Sequence, residues 1–183
     1  MRIVVSGVPG IGKTTILGKV SAPEFSAVNF GDVMSELSGM DRDEMRKLPV
    51  SRYKSLQEEA AEKIGKMKNV LIDTHISVAK PEGYYPGLPL NVLEKLKPDA
   101  IVLLEKDPLK IAEQASKDST RKRETNPKKI DEHQKHNRML AAAYSAISCC
   151  LLKIIQIPSE ESYPFEASDI AARELSEFLR MVK

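Results

Sequence analysis

The chain has few of the features that mark membrane, secreted or nucleic-acid-binding proteins. Its 183 residues include only two cysteines and no tryptophan, and the formal net charge is +2. No apolar run reaches the roughly 18 residues that a membrane span needs, and the first apolar segment shows no signal-peptide pattern. Near-balanced charge gives no general reason to expect nucleic acid or a membrane surface as the partner. We therefore expect neither.

The two cysteines, Cys149 and Cys150, are adjacent in the sequence. Neighbouring thiols rarely bridge, and two thiols without other ligands make no zinc site. We interpret them as buried free thiols in a reducing compartment, which predicts a cytoplasmic protein.

Short apolar runs alternate with helical patterns along the chain. Runs of this length and continuity are typical of strands that are covered on both faces, as in a parallel sheet. The five predicted strands are 2–6, 26–30, 69–73, 100–105 and 151–157. Apolar spacing and proline positions predict helices over 51–67, 108–117, 127–147 and 166–182. The alternation predicts an α/β doubly wound sheet in a single domain, 1–183.

Two stretches fit neither pattern and are predicted to be loops. Residues 74–89 are rich in proline and glycine, and residues 118–127 are polar and dense in charge. Long loops in a compact α/β domain are usually functional or mobile. Both should lie near the glycine-rich segment described next.

The stretch SGVPGIGKTT at residues 6–15 follows the first predicted strand and precedes a helical pattern. It satisfies the G-x-x-x-x-G-K-[ST] pattern of a phosphate-binding loop in the context that confirms it. Glycines let backbone N–H groups approach phosphate oxygens, the helix dipole favours an anion, and the lysine reaches the β- and γ-phosphates. We predict a nucleoside triphosphate site. Its residues are Gly7, Val8, Pro9, Gly10, Ile11, Gly12, Lys13, Thr14 and Thr15.

Asp73 ends the apolar run VLID. In phosphate-loop proteins a carboxylate at this place holds Mg²⁺ through water, while the hydroxyl after the loop lysine ligates the ion directly. We predict Mg²⁺ with the nucleotide as cofactor, with Thr14 and Asp73 as its protein ligands. His133 and His136 have no acidic or thiol partner at metal-ligand spacing, so we predict no further metal site.

A phosphate loop alone does not separate a small-molecule kinase from a GTPase or a motor ATPase. The N-K-x-D base-reading signal of a GTPase is absent. A kinase needs cations for the charge that spreads over the transferring group, and a lid that excludes water. Arg121 and Arg123 in the second loop and Arg138 on the next helix supply those cations, and Gln134 and Asn137 share a helix face with Arg138.

A second cluster follows the second predicted strand. NFGD places Gly31 and Asp32 at a strand–helix junction, and Arg42 and Arg46 follow within DRDEMRKLP. Arginine forks at this place could bind a second phosphate-bearing substrate. His75, after Asp73, could be read as a general base. An anionic phosphate acceptor needs little proton chemistry, so we favour a structural or substrate-orienting role.

Taken together, the chain resembles the archaeal type of adenylate kinase over nearly its whole length. The stretches that carry the resemblance are SGVPGIGKTT, NFGDVM, RDEMRKLP (42–49), DTH (73–75) with GYYPGLP (83–89), DSTRKR (118–123) and HQKHNR (133–138). The phosphate loop is shared by many kinases, whereas the DTH–GYYPGLP and HQKHNR stretches are far more specific.

The resemblance implies a phosphate-loop NTPase fold with strand order 2-3-1-4-5, a nucleoside-monophosphate segment over about 30–67 and a lid over about 114–130. It implies reversible transfer of the ATP γ-phosphoryl group to AMP with Mg²⁺, in a homotrimer. The residues that it implies as catalytic are Lys13, Arg121, Arg123 and Arg138. The loop residues 7–15 would bind ATP, and Gly31, Asp32 and Arg46 would bind AMP.

The chain departs from the family pattern in two places. The paired arginines usual before the lid are replaced in EQASKD (113–118), where Gln114, Ala115 and Lys117 stand. The turn against the adenine after the fifth strand reads IPSEES (157–162). These departures leave two alternatives open. One is a nucleoside monophosphate kinase with another acceptor, such as CMP or UMP, and the other is a nucleotide-dependent RNA-binding or assembly ATPase.

Overall fold

A computed structural model describes residues 1–45, 47–118 and 123–182. The strands are β1 (Arg2–Ser6), β2 (Ser26–Asn29), β3 (Val70–Asp73), β4 (Ser77–Lys80), β5 (Gly83–Pro86), β6 (Ala100–Glu105) and β7 (Leu151–Gln156). The helices are α1 (Lys13–Gly18), α2 (Phe30–Ser38), α3 (Arg42–Met45), α4 (Val50–Gly65), α5 (Leu90–Leu96), α6 (Pro108–Lys117), α7 (Pro127–Ser148) and α8 (Glu166–Met181).

Five strands form one parallel sheet in the order β2-β3-β1-β6-β7. Counted along the chain within this sheet, the order is 2-3-1-4-5, so the predicted topology and the α/β class are confirmed. The central strands are apolar throughout because helices cover both faces of the sheet. All six residues of β6 are buried.

The sheet divides the core into two layers. Ile3 and Val5 of β1 pack on one side with α1 and α8, whereas Val4 packs on the other side with α2, α4 and α5. Alternate side chains of a strand point to opposite faces, so one apolar strand serves both layers. This packing brings the carboxyl ends of β1, β3 and β6 to one edge, where the glycine-rich loop begins.

The prediction that residues 74–89 lack regular structure is wrong. They contain the antiparallel hairpin β4–β5, in which Ser77 pairs with Pro86 and Lys80 pairs with Gly83. The prolines are compatible with the hairpin because Pro81 lies in its two-residue turn and Pro86 ends its second strand. In the second predicted loop, residues 123–126 have no helix or strand and α7 begins at Pro127. Residues 119–122 lie outside the described residues.

The interpretation of both cysteines as buried thiols is also wrong. Cys149 is exposed and Cys150 is partly buried, and both are free. Cys149 adopts a left-handed conformation, with φ of 49°, at the C-terminus of α7. The chain reverses there to enter β7, and this turn directs the Cys149 side chain to solvent.

Candidate active site

The glycine-rich loop connects β1 to α1 as the sequence predicts. Gly10 and Gly12 have φ of 91° and 95°, which side chains other than glycine rarely adopt. A Cβ on Gly7 would lie 2.9 Å from the backbone oxygen of Leu104 in β6, so the loop packs directly on the neighbouring strand. Gly12 is the N-cap of α1 and provides no side-chain acceptor for the first turn. The first N–H groups of α1 are therefore suited to bind an anion.

Lys13 is folded into this loop and is 9% exposed. Its Nζ donates to the Gly7 carbonyl oxygen at 3.2 Å and lies 4.0 Å from Oδ1 of Asp73. Burial lowers the pKa of Lys13, Asp73 opposes that shift, and the charge of Arg123 adds to it. The loop thus holds a desolvated cation, whose charged form an arriving phosphate would stabilise.

Asp73 lies at the carboxyl edge of the sheet between two partners. It is in register with Val5 of β1 and with Asn29 of β2, and its Oδ2 accepts a hydrogen bond from Asn29 Nδ2 at 3.0 Å. Thr14 is exposed in the first turn of α1. A carboxylate and a hydroxyl are the hard oxygen donors that Mg²⁺ prefers, and Mg²⁺ commonly binds through one or two carboxylates plus substrate phosphates. The residues present therefore fit this ion.

In the described part of the chain, no group of three or more histidine, cysteine, aspartate or glutamate side chains could hold a metal ion. Nor does any helix there have the length and apolar character needed to span a membrane.

The second predicted cluster is organised by Asn29. Its Oδ1 caps α2 by accepting from the backbone N–H groups of Gly31 at 3.0 Å and Asp32 at 3.3 Å. The same oxygen accepts from Arg42 Nη2 at 2.8 Å, and Arg42 also pairs with Asp32 at 2.7 Å. The structure thus brings Gly31 and Asp32 together with Arg42. Arg46 lies outside the described residues.

His75 lies between these two clusters. Burial is the main cause that lowers its pKa to about 3, and the charges of Lys13, His133 and Arg42 add to it, while a backbone hydrogen bond at Gly7 opposes it. The ring is therefore neutral at pH 7. A group with so low a pKa is a poor proton acceptor, which agrees with the structural or orienting role predicted from the sequence.

Arg123, from the second loop, lies over the glycine-rich loop. A Cβ on Gly10 would lie 3.5 Å from Arg123 Cδ, and Arg123 Nη1 pairs with Asp118 at 2.9 Å. One predicted lid cation is therefore in place beside the phosphate loop. Arg121 lies outside the described residues.

Of the residues predicted to share a face of α7, Gln134 and Arg138 both contact the end of β6, whereas Asn137 contacts the β4–β5 hairpin. Both ends of the Gln134 amide bond the backbone of Lys106, with Nε2 donating to the carbonyl at 2.9 Å and Oε1 accepting from the N–H at 3.0 Å. Asn137 Oδ1 accepts from the hydroxyl of Ser77 at 2.6 Å. Arg138 donates from Nε to Oε1 of Glu105 at 2.9 Å, and from Nη2 to Oε2.

Sequence reasoning missed three residues that shape this site, because it gave no functional part to Ser77, His133 or Glu105. Asn29 was included in the predicted monophosphate pocket, but its hydrogen bonds to Asp73 and Arg42 were not predicted. His133 Nε2 lies 3.0 Å from Ser77 Oγ, and burial lowers its pKa. A signal existed for Glu105: like Asp73, it is the carboxylate that ends an otherwise apolar strand, AIVLLE.

The parallel sheet and the glycine-rich loop define a phosphate-loop nucleotide-binding domain. A family model described as an AAA domain matches residues 6–132. Among solved structures, shikimate kinase from Acinetobacter baumannii in complex with shikimate has a TM-score of 0.63 at 16% identity, with coverage of 100% of this chain and 94% of that chain. Shikimate kinase from Bacteroides thetaiotaomicron has a TM-score of 0.61 at 15% identity, and 98% of each chain is covered. At these identities the likeness shows the fold alone.

Curated relatives define the family more narrowly. Adenylate kinase from Pyrobaculum aerophilum is 44% identical, with coverage of 94% of this chain and 93% of the relative. Adenylate kinase from Methanopyrus kandleri is 42% identical over 84% of this chain and 87% of the relative. Adenylate kinase from Thermoplasma volcanium is 41% identical over 94% and 98%. The chain belongs to the adenylate kinase family.

Proposed function

We propose that this chain transfers the γ-phosphoryl group of ATP reversibly to AMP, with Mg²⁺, and so produces two molecules of ADP. Curated relatives named adenylate kinases support the proposal. The observation that carries it is the position of Asp73, which lies 4.0 Å from Lys13 and is hydrogen-bonded to Asn29. Asn29 in turn binds Arg42. One carboxylate thus connects the phosphate loop to the cluster proposed for the acceptor.

In this proposal the donor and acceptor bind on opposite sides of Asp73. The ATP phosphates lie on loop residues 7–15, and the lid over about 114–130 closes on them with Arg121 and Arg123. The segment over about 30–67 binds AMP through Gly31, Asp32 and Arg46. Thr14 and Asp73 would hold Mg²⁺, which when bound would supply positive charge to neutralise the nucleotide phosphates.

The chemical step requires no proton transfer to the enzyme. A phosphate oxygen of AMP forms a bond to the γ-phosphorus as the bond from that phosphorus to the β–γ bridging oxygen breaks, and ADP leaves with the electron pair. Lys13, Arg121 and Arg123 stabilise the charge that spreads over the transferring oxygens. The lid excludes water, which is the competing acceptor.

We also propose a homotrimer, which the resemblance to archaeal adenylate kinases supports, and a location in the cytoplasm, which the two free thiols support. Light scattering of the purified protein tests the assembly directly, because a mass of three chains is expected. A monomer or dimer at micromolar concentration would contradict it.

The function is tested by measuring ADP formed from Mg-ATP alone and with AMP, CMP, UMP or GMP. We expect turnover with AMP only. Lys13→Met should lower turnover by about 100-fold or more, the scale seen when a group that stabilises transition-state charge is removed. Lys19→Met is the matched control, because Lys19 follows the same helix but pairs with Asp169 at the surface. Near-normal turnover in Lys13→Met would contradict the site assignment.

The same assay separates the alternatives. Preference for CMP or UMP would indicate a monophosphate kinase of another specificity. ATP hydrolysis that RNA stimulates and that no mononucleotide affects would indicate an RNA-dependent ATPase and overturn the proposal.

A further inference from the structure

A buried carboxylate stands at the end of β6, the strand next to the one that leads into the phosphate loop. Glu105 ends β6 and is 6% exposed. It directly follows Leu104, whose backbone oxygen packs against Gly7. An anion in this place would repel the phosphates of a bound nucleotide unless a cation neutralised it, because charges interact strongly where water is excluded.

Arg138 supplies that cation. Its guanidinium donates to both carboxylate oxygens of Glu105, whereas its own side chain is 56% exposed. Of the described residues, no other cation forms an ion pair with Glu105. One helical turn earlier, Gln134 bonds both backbone polar groups of Lys106. Glu105 and Lys106 thus hold two successive turns of α7 at the end of β6.

This arrangement bears on the catalytic role that the family resemblance implies for Arg138. If the guanidinium moved to the transferring phosphoryl group, it would leave Glu105 charged, buried and unpaired. Breaking a buried pair from one side is strongly unfavourable, because the remaining charge has lost its solvent and its partner. The free-energy cost of leaving Glu105 unpaired would then raise the energy of the transition state, which the enzyme must stabilise.

We propose that Arg138 is a positioning residue, which stays on Glu105 throughout turnover and neutralises this buried carboxylate at the end of β6, next to the strand that leads into the phosphate loop. Glu105 and Arg138 therefore act as one unit. The expected change in kcat on substituting Arg138 rests on the proposed kinase function. The expected change in ATP affinity does not depend on which acceptor the enzyme uses.

The test is a double-mutant cycle with Arg138→Met, Glu105→Gln and the double variant. The readouts are the affinity for a fluorescent ATP analogue and the kcat for ADP formation. Arg138→Met leaves the carboxylate unpaired, so we expect both to fall by roughly tenfold or more, within the range seen for displaced active-site groups. The double variant has no buried charge and should recover both to within about threefold of the wild type. Glu105→Gln should lower both by less than Arg138→Met does, because it leaves no buried charge unpaired and the glutamine oxygen still accepts from Arg138.

A guanidinium that contacts the phosphoryl group directly predicts no rescue at either readout. A double variant as impaired as Arg138→Met would overturn the inference. If Arg138→Met fails to fold by circular dichroism, Arg138→Lys decides the matter. A lysine keeps the neutralising charge but not the bidentate fork, so we expect a loss of less than about fivefold. A loss of 100-fold in Arg138→Lys would indicate direct contact with phosphate. Wild-type protein that binds ATP without phosphorylating AMP would refute the proposed function alone, since the ATP-binding cycle would still test this inference.

Discussion

His75 should make the stability of this protein depend on pH in a specific window. Its pKa falls to about 3 in the folded state, chiefly through burial, from an ordinary value of 6.5. The unfolded chain therefore takes up a proton as the pH drops below about 6.5, while the folded protein does not until about pH 3. Protonation favours unfolding in this range, so stability is lost as the pH falls.

The expected magnitude follows from the two pKa values. Proton uptake by the unfolded state lowers the free energy of unfolding by about 2 kcal/mol at pH 5 relative to pH 7. In urea this corresponds to a midpoint shift of roughly 1 M for a protein of this size. Replacing His75 with glutamine removes this contribution, because the amide does not titrate in this range.

Urea unfolding at pH 5 and pH 7 of the wild type and His75→Gln provides the assay. We expect the loss between the two pH values to be smaller in the variant by about 2 kcal/mol. Contributions from other groups, including His133, remain in both proteins and cancel in the difference. Equal losses in the two proteins would refute the reasoning and show that the His75 ring is solvated in the folded state.

Two further substitutions test the packing of the phosphate loop and the proposed acceptor cluster. Gly7→Ala places a Cβ 2.9 Å from the backbone oxygen of Leu104, so ATP affinity should fall at least tenfold, whereas Gly18→Ala meets nothing within 4 Å and should keep wild-type affinity in the same titration. Asn29→Ala removes the α2 cap and the bonds to Asp73 and Arg42, so it should cost about 1 kcal/mol of stability and raise the KM for AMP severalfold. Asn126→Ala is the control, because it removes the cap of α7 and should lower stability by a similar amount without changing the KM for AMP. An equal rise in the KM for AMP in Asn29→Ala and Asn126→Ala would contradict a special role for Asn29.

Local signals in the sequence predicted much of the fold and part of the site. Apolar strand runs and helical periodicity located all five sheet strands and the four long helices to within one or two residues, because burial on both faces of a sheet leaves a continuous apolar run. The phosphate loop was equally clear, since positions with φ near 90°, such as Gly10 and Gly12, strongly favour glycine. The hairpin over 77–86 was missed because its prolines stand where a two-strand ribbon tolerates them.

The sequence by itself determined which residue types were available: a phosphate loop, a carboxylate at the end of VLID and a set of arginines. Only the tertiary structure decided which of them are partners. Glu105 and Arg138 are 33 residues apart, and Asn29 and Asp73 are 44 apart. Such pairs form because the parallel sheet brings strand ends to one edge and α7 packs across the end of β6. Sequence periodicity and residue spacing do not predict these contacts, since the contacts depend on how separate elements pack.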